Sequence, residues 1–177
     1  MLNKLPLILL LFIVHVASAD TSQRYKVSAL REEYLEASTD EDVAVRFNKK
    51  MKEYDGDAPL VLAYKAASEA VMAKYVWNPY SKLKQLKSAA SIFEEAVKRD
   101  RENPEIRFLR FTVEHYVPRY LNLSPNIEED KKILINALKA HPRSGISPEL
   151  ARTMRDFMLT KDHSTAAERK VLQSIEI

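Results

Sequence analysis

Apolar side chains return along this chain at intervals of three and four residues, and they do so in block after block. Val43, Phe47, Met51 and Tyr54 make one such series, Leu60, Tyr64, Ala67, Val71 and Tyr75 a second, and Leu83, Leu86, Ala90, Phe93 and Val97 a third. Each is the buried stripe of an amphipathic helix, because those spacings return to one face of a 3.6-residue turn. No stretch shows the clean period-two alternation of a half-buried strand. Glycine supports the same reading from the other side. With two glycines among 177 residues, the chain lacks the residue that hairpin turns and phosphate-cradling loops depend on. The periodicity therefore predicts an all-α fold of about seven helices, arranged as stacked antiparallel helical hairpins.

The breaks between blocks carry their own signals. Thr39 reads as an N-cap, followed by Asp40, Glu41 and Asp42 at the positive end of the helix dipole. Asp55-Gly56-Asp57 makes a turn, and Pro59 opens the next helix. Trp77-Asn78-Pro79-Tyr80 is a corner at which Asn78 can cap and Pro79 can be the first helical residue, and Asn103-Pro104 and Ser147-Pro148 repeat that logic. Asn126 with Glu129, and Thr165 with Glu168, have the spacing of capping boxes. In the helix from Pro104 to Tyr116, Ile106, Leu109, Val113 and Tyr116 form one stripe while Phe108 and Phe111 lie off it. A helix apolar on more than one side is expected at the centre of the domain.

Residues 1–19 read as an export signal: Lys4 near the start, an apolar run from Leu5 to Val16, and Ala17-Ser18-Ala19 as the cleavage site. The run is too short for a comfortable membrane span, so cleavage before Asp20 is favoured over an uncleaved anchor. Residues 20–177 then form the single helical domain, exported to the periplasm or secreted, with no later stretch that can cross a bilayer. Without Lys4 that domain carries 27 basic and 25 acidic residues, interspersed rather than gathered on one face. Nucleic-acid binding is not expected from such a distribution. The densest basic stretch, Lys82, Lys84 and Lys87, reads as a solvated helix face. With no cysteine, disulfides, thiolate nucleophiles and thiol-ligated zinc are excluded.

Motifs for catalysis are missing. His115, His141 and His163 fall at no metal-ligand spacing and read as surface or helix-end histidines; no cofactor or metal site is expected. The adjacent carboxylates Glu32-Glu33, Glu94-Glu95 and Glu128-Glu129-Asp130 fan around their helices instead of facing one another. Two glycines cannot supply a nucleophile elbow and an oxyanion loop. Two constellations remain as tentative binding residues. Arg107 and Arg110, with Glu114, form one stripe on the most apolar helix. They can grip a peptide carboxylate, or pair internally with Glu114 or acids of a neighbouring helix; charges on a packed helix favour the second. Tyr75, Trp77 and Tyr80 gather at the Asn78-Pro79 corner. Aromatics there anchor a partner or lock two hairpins together, with packing the commoner role. Asn122-Leu123-Ser124 is a glycosylation acceptor pattern with meaning only in a eukaryotic secreted protein.

The stretch Ala89 to Pro104, with Ala89, Phe93, Ala96, Asp100, Asn103 and Pro104 in place, resembles the second helix and exit turn of a tetratricopeptide repeat. Arg101 departs from that pattern, and one repeat-like hairpin, 59–104, is recognisable. The wider stretch from about Ala58 to Thr160 also resembles exported helical proteins of Bacteroidetes-type bacteria, through Lys74–Tyr80, Pro104–Phe111 and Asn126–Lys132. These resemblances imply tetratricopeptide-like hairpins and a bacterial envelope protein, and bring no activity with them. The expected function is non-enzymatic binding of another protein or peptide in the envelope. The alternatives are a hydrolase whose acids meet only in the fold, or a structural subunit of an envelope complex.

Overall fold

The computed structural model describes residues 23–160 and 162–177. The expected leader, residues 1–19, and the cleavage point lie outside the described residues. Among the described residues the fold is all-α, without strands. These residues contain eight α-helices, one more than expected, which are α1 (Val27–Ala37), α2 (Glu41–Lys52), α3 (Pro59–Tyr75), α4 (Pro79–Arg99), α5 (Pro104–Tyr116), α6 (Ile127–Lys139), α7 (Pro148–Leu159) and α8 (Ala166–Gln173). A single 3₁₀ turn, Arg119–Leu121, follows α5.

The predicted starts hold at most corners, for local reasons. The Asn78 carboxamide accepts from the Tyr80 and Ser81 amides, and Asn103 accepts from Glu105 and Ile106. Thr165 and Glu168 make a complete capping box. At two starts the expected cap is wrong. Asp40, not Thr39, caps α2 by accepting from Val43 N–H, while the Thr39 hydroxyl turns back to the Glu36 carbonyl. Asn126 makes no side-chain cap for α6, because Glu114 engages both its amide and its side chain. α3 begins without a capping side chain, at Ala58. There the Tyr54 hydroxyl accepts the Ala58 N–H at 3.0 Å. The Tyr54 ring crosses Gly56 so closely that an added Cβ would lie 2.5 Å from its hydroxyl oxygen, so glycine is required at that turn.

Two apolar clusters form the interior. The first joins α1, α2 and α3 to Phe93 and Ala96 of α4 and Ile106 and Leu109 of α5. α3 is its hub, packing on α1, α2, α4 and α5. Ala63, Ala66 and Ala67 are wholly buried there, and their small size permits close helix approach. The second cluster gathers Phe108 and Phe111 of α5 with residues of α6, α7 and α8. The stripe and the off-stripe phenylalanines of α5 thus serve different clusters, and α5 joins the two, as its two-sided pattern predicts. Its last stripe position departs from expectation: Tyr116, at the end of α5, is exposed and meets Phe157 and His163 only through ring contacts with centroids 6.1 Å apart.

Polar groups crosslink these layers. Glu105, nearly buried, accepts two hydrogen bonds from Arg31 at 2.6 and 2.7 Å and one from the Tyr64 hydroxyl at 2.7 Å, tying α1, α3 and α5 together. Burial first, then the charge of Glu105, pushes the Tyr64 phenol well above its ordinary range. No helix among the described residues is long and apolar enough to cross a membrane.

Candidate binding surface

The five residues singled out in the sequence separate into two places with different roles. Arg107 and Arg110 lie inside, with side chains 3% and 5% exposed, against an Asp130 that is 0% exposed. Arg110 donates to both carboxylate oxygens of Asp130, at 2.7 and 2.6 Å. Arg107 donates to Asp130 at 2.8 Å, to Glu129 at 3.0 Å and to the Arg101 carbonyl at 2.8 Å. Both guanidiniums are thereby engaged across the α5–α6 interface and are not presented to a ligand. Their partner is the neighbouring helix's acid, the second of the two alternatives the sequence left open.

Glu114, third in that stripe, does separate work. Its carboxylate accepts from the Asn126 amide and side chain at 2.8 and 2.7 Å, and its carbonyl accepts from the Ser124 hydroxyl. It therefore holds the α5–α6 connection. Burial lifts its pKa above the ordinary carboxylate range, against the pull of the Asn126 hydrogen bonds and the charge of Arg110.

At the α3–α4 corner the three aromatics divide. Tyr75 is half-buried and its hydroxyl donates to the Ala37 carbonyl at 3.3 Å. Lys74 sits over its ring and donates to the Ser38 carbonyl. Tyr75 thus locks α3 to the end of α1. Trp77 and Tyr80 lock nothing: they are 98% and 77% exposed. Asn78 and Pro79 turn the chain so sharply that both rings point away from the bundle.

α4 spans 21 residues and fully buries only Ala89, Phe93 and Ala96; its outward face, with Lys82, Lys84, Lys87, Ser91, Glu94 and Lys98 exposed, is uncovered. Along its C-terminal half, α3 and α4 leave an open groove of about 560 Å³ with Leu62 and Ile92 among its walls and Lys65, Glu94, Glu95 and Lys98 around them. Glu94 and Glu95 are consecutive on one helix, so the groove does not hold a facing pair of carboxyls of the kind glycoside hydrolysis uses.

The sequence missed one cluster entirely. His115 of α5 and His163 of the α7–α8 connection meet edge to face with ring centres 3.8 Å apart, and His163 also packs on Phe157 at 4.3 Å. His163 is buried rather than at the surface, and its Nδ1–H donates to the Phe157 carbonyl at 2.8 Å. Burial, then His163, Arg119 and Lys131, lower the His115 pKa, with Asp162 opposing. The two histidines are 48 positions apart in sequence, so no spacing rule reveals them. Among the described residues no group of three or more His, Cys, Asp or Glu is placed to hold a metal ion. Comparison with known proteins finds no match to a family model, a curated protein or a solved structure.

Proposed function

We propose that this chain is an exported, non-enzymatic helical-hairpin protein that binds another protein or peptide in the cell envelope, in the periplasm or outside the cell. The observation that carries the reading is the uncovered face of α4, a 21-residue helix with three buried residues and an open groove beside it. Stacked helical hairpins recognise ligands on such extended faces. The groove walls are mixed in character, with apolar Leu62 and Ile92 flanked by two lysines and two glutamates, which suits a peptide carrying both backbone polarity and side-chain charge. The buried arginines pair internally with Asp130, so the reading does not rest on them.

The test is affinity purification of the chain from its own envelope fraction, wild type beside Ser91→Arg. Ser91 is exposed on the groove wall, so arginine there obstructs the groove without touching the core. A specific partner recovered with wild type and lost with Ser91→Arg is expected. Recovery of no specific partner, or equal recovery by both forms, refutes the reading.

A further inference from the structure

Every exposed aromatic among the described residues sits at one end of the hairpin stack. These are Trp77, Tyr80, Tyr116 and Tyr120, exposed to 98%, 77%, 72% and 82%. α3, α4 and α5 run alternately up and down through short links, so the end of α3, the start of α4 and the end of α5 share one side. Trp77 and Tyr80 occupy the α3–α4 corner, Tyr116 closes α5, and Tyr120 lies in the 3₁₀ turn that follows. The other aromatics of the described residues are buried or half-buried.

The chain that runs through the corner into α4 is basic. Between Glu69 and Glu94 the sequence has no acidic residue, and that interval contains Lys74, Lys82, Lys84 and Lys87. Lys82, Lys84 and Lys87 are exposed on the first half of α4, where nothing is fully buried before Ala89. Arg119 is exposed between Tyr116 and Tyr120. The acids of this end are on the other side of α3, in the α1–α2 turn that Lys74 and Tyr75 hold through the Ser38 and Ala37 carbonyls, where Asp40, Glu41 and Asp42 are all exposed.

We infer that this end docks on an anionic lipid surface, with Trp77 and Tyr80 among the headgroups and Lys82, Lys84 and Lys87 against the phosphates. Indole and phenol rings favour the bilayer interface because one part of each is apolar and the other hydrogen-bonds water. Lysines reach anionic headgroups while their methylene stems lie along apolar surface. At that exposure Trp77 and Tyr80 line no cleft, which suits a soft planar surface better than an extended peptide. The acidic α1–α2 turn is repelled by the same surface and tilts the contact onto the α3–α4–α5 side. The groove proposed for a protein ligand lies toward the opposite end of the α3–α4 hairpin and stays free, so the two assignments stand or fall separately.

Trp77 is the one tryptophan of the chain, so its fluorescence reports on this corner alone. The chain as recovered from expressing cells is titrated with vesicles of phosphatidylcholine and with vesicles rich in phosphatidylglycerol. A blue shift and co-sedimentation with the anionic vesicles, both suppressed by high salt, are expected. Lys82→Glu/Lys84→Glu/Lys87→Glu should weaken that binding by roughly a hundredfold or more, from about fivefold per lysine near an anionic surface. Trp77→Ser should weaken co-sedimentation while circular dichroism stays that of the wild type. The inference is overturned by an unshifted Trp77 spectrum, by equal affinity for neutral vesicles, or by lysine reversal without effect. It is also overturned if the blue shift appears with envelope proteins and not with vesicles, which would make this corner a protein contact.

Discussion

Replacing Asp130 by asparagine removes the one buried charge that two buried arginines share. Asp130 is wholly buried and accepts three hydrogen bonds of 2.6 to 2.8 Å from Arg107 and Arg110. Asparagine has nearly the same shape but only one acceptor oxygen and no charge, and its NH₂ group faces guanidinium donors. Breaking a buried pair in this way costs about 3–5 kcal/mol, because the remaining charge is left uncompensated. Arg107 keeps Glu129 at 3.0 Å, but that carboxylate is 60% exposed and is a weak substitute. For a chain of this size the loss corresponds to a drop in melting temperature on the order of 10 °C. The assay is chemical denaturation followed by far-ultraviolet circular dichroism, with Asp130→Asn beside the triple change Arg107→Met/Arg110→Met/Asp130→Leu. The triple variant removes all three buried charges at once, leaving only the solvent-exposed Glu129, and should recover most of the lost stability, since apolar replacement of a buried ion cluster is often neutral or favourable. A single variant within about 1 kcal/mol of wild type would refute the argument that Asp130 is what makes those arginines tolerable inside the protein.

Two further outcomes follow from local geometry. Thr165→Ala removes the hydroxyl that accepts from Glu168 N–H and should cost about 1 kcal/mol at a helix of only eight residues; faster hydrogen exchange in α8 is the readout, and unchanged exchange counts against the cap. His115→Phe should flatten the acid side of the stability profile. The folded chain resists protonating His115, whose pKa lies below its ordinary 6.5 through burial and then His163, whereas the unfolded chain accepts the proton. Wild type therefore loses stability as pH falls through about 6.5, and the variant, with phenylalanine packed among Phe111 and His163, should lose less between about pH 7.5 and about pH 5.5. Equal losses in denaturation midpoint for both forms would remove His115 as the cause.

Much of this molecule is decided within single helices. The stripe Val43, Phe47, Met51 and Tyr54, the two-sided α5 and the Asn-Pro starts of α4 and α5 are all legible because each depends on residues within a turn or two of one another. Periodicity states which face a helix buries; it is silent about what meets that face. For that reason Arg107 and Arg110 could be placed on one stripe, while Asp130, 20 positions beyond Arg110, could be named only as an acid of some neighbouring helix. The same holds more strongly for Glu105 with Arg31, 74 positions apart. Asn126 shows local logic being overridden, because the Glu114 carboxylate holds its NH₂ group and so turns the side chain away from the α6 amides.

The sequence by itself determined that the chain is helical, where its helices begin and which faces turn inward, since those properties arise from side-chain spacing and backbone preferences close along the chain. Tertiary structure alone decided that Tyr75 is a lock while Trp77 and Tyr80 stand free, that the arginines are sealed by Asp130, and that His115 meets His163. Each of these depends on which helix arrives beside which, and that is set by the joint packing of two apolar clusters through α5, a property of no single segment.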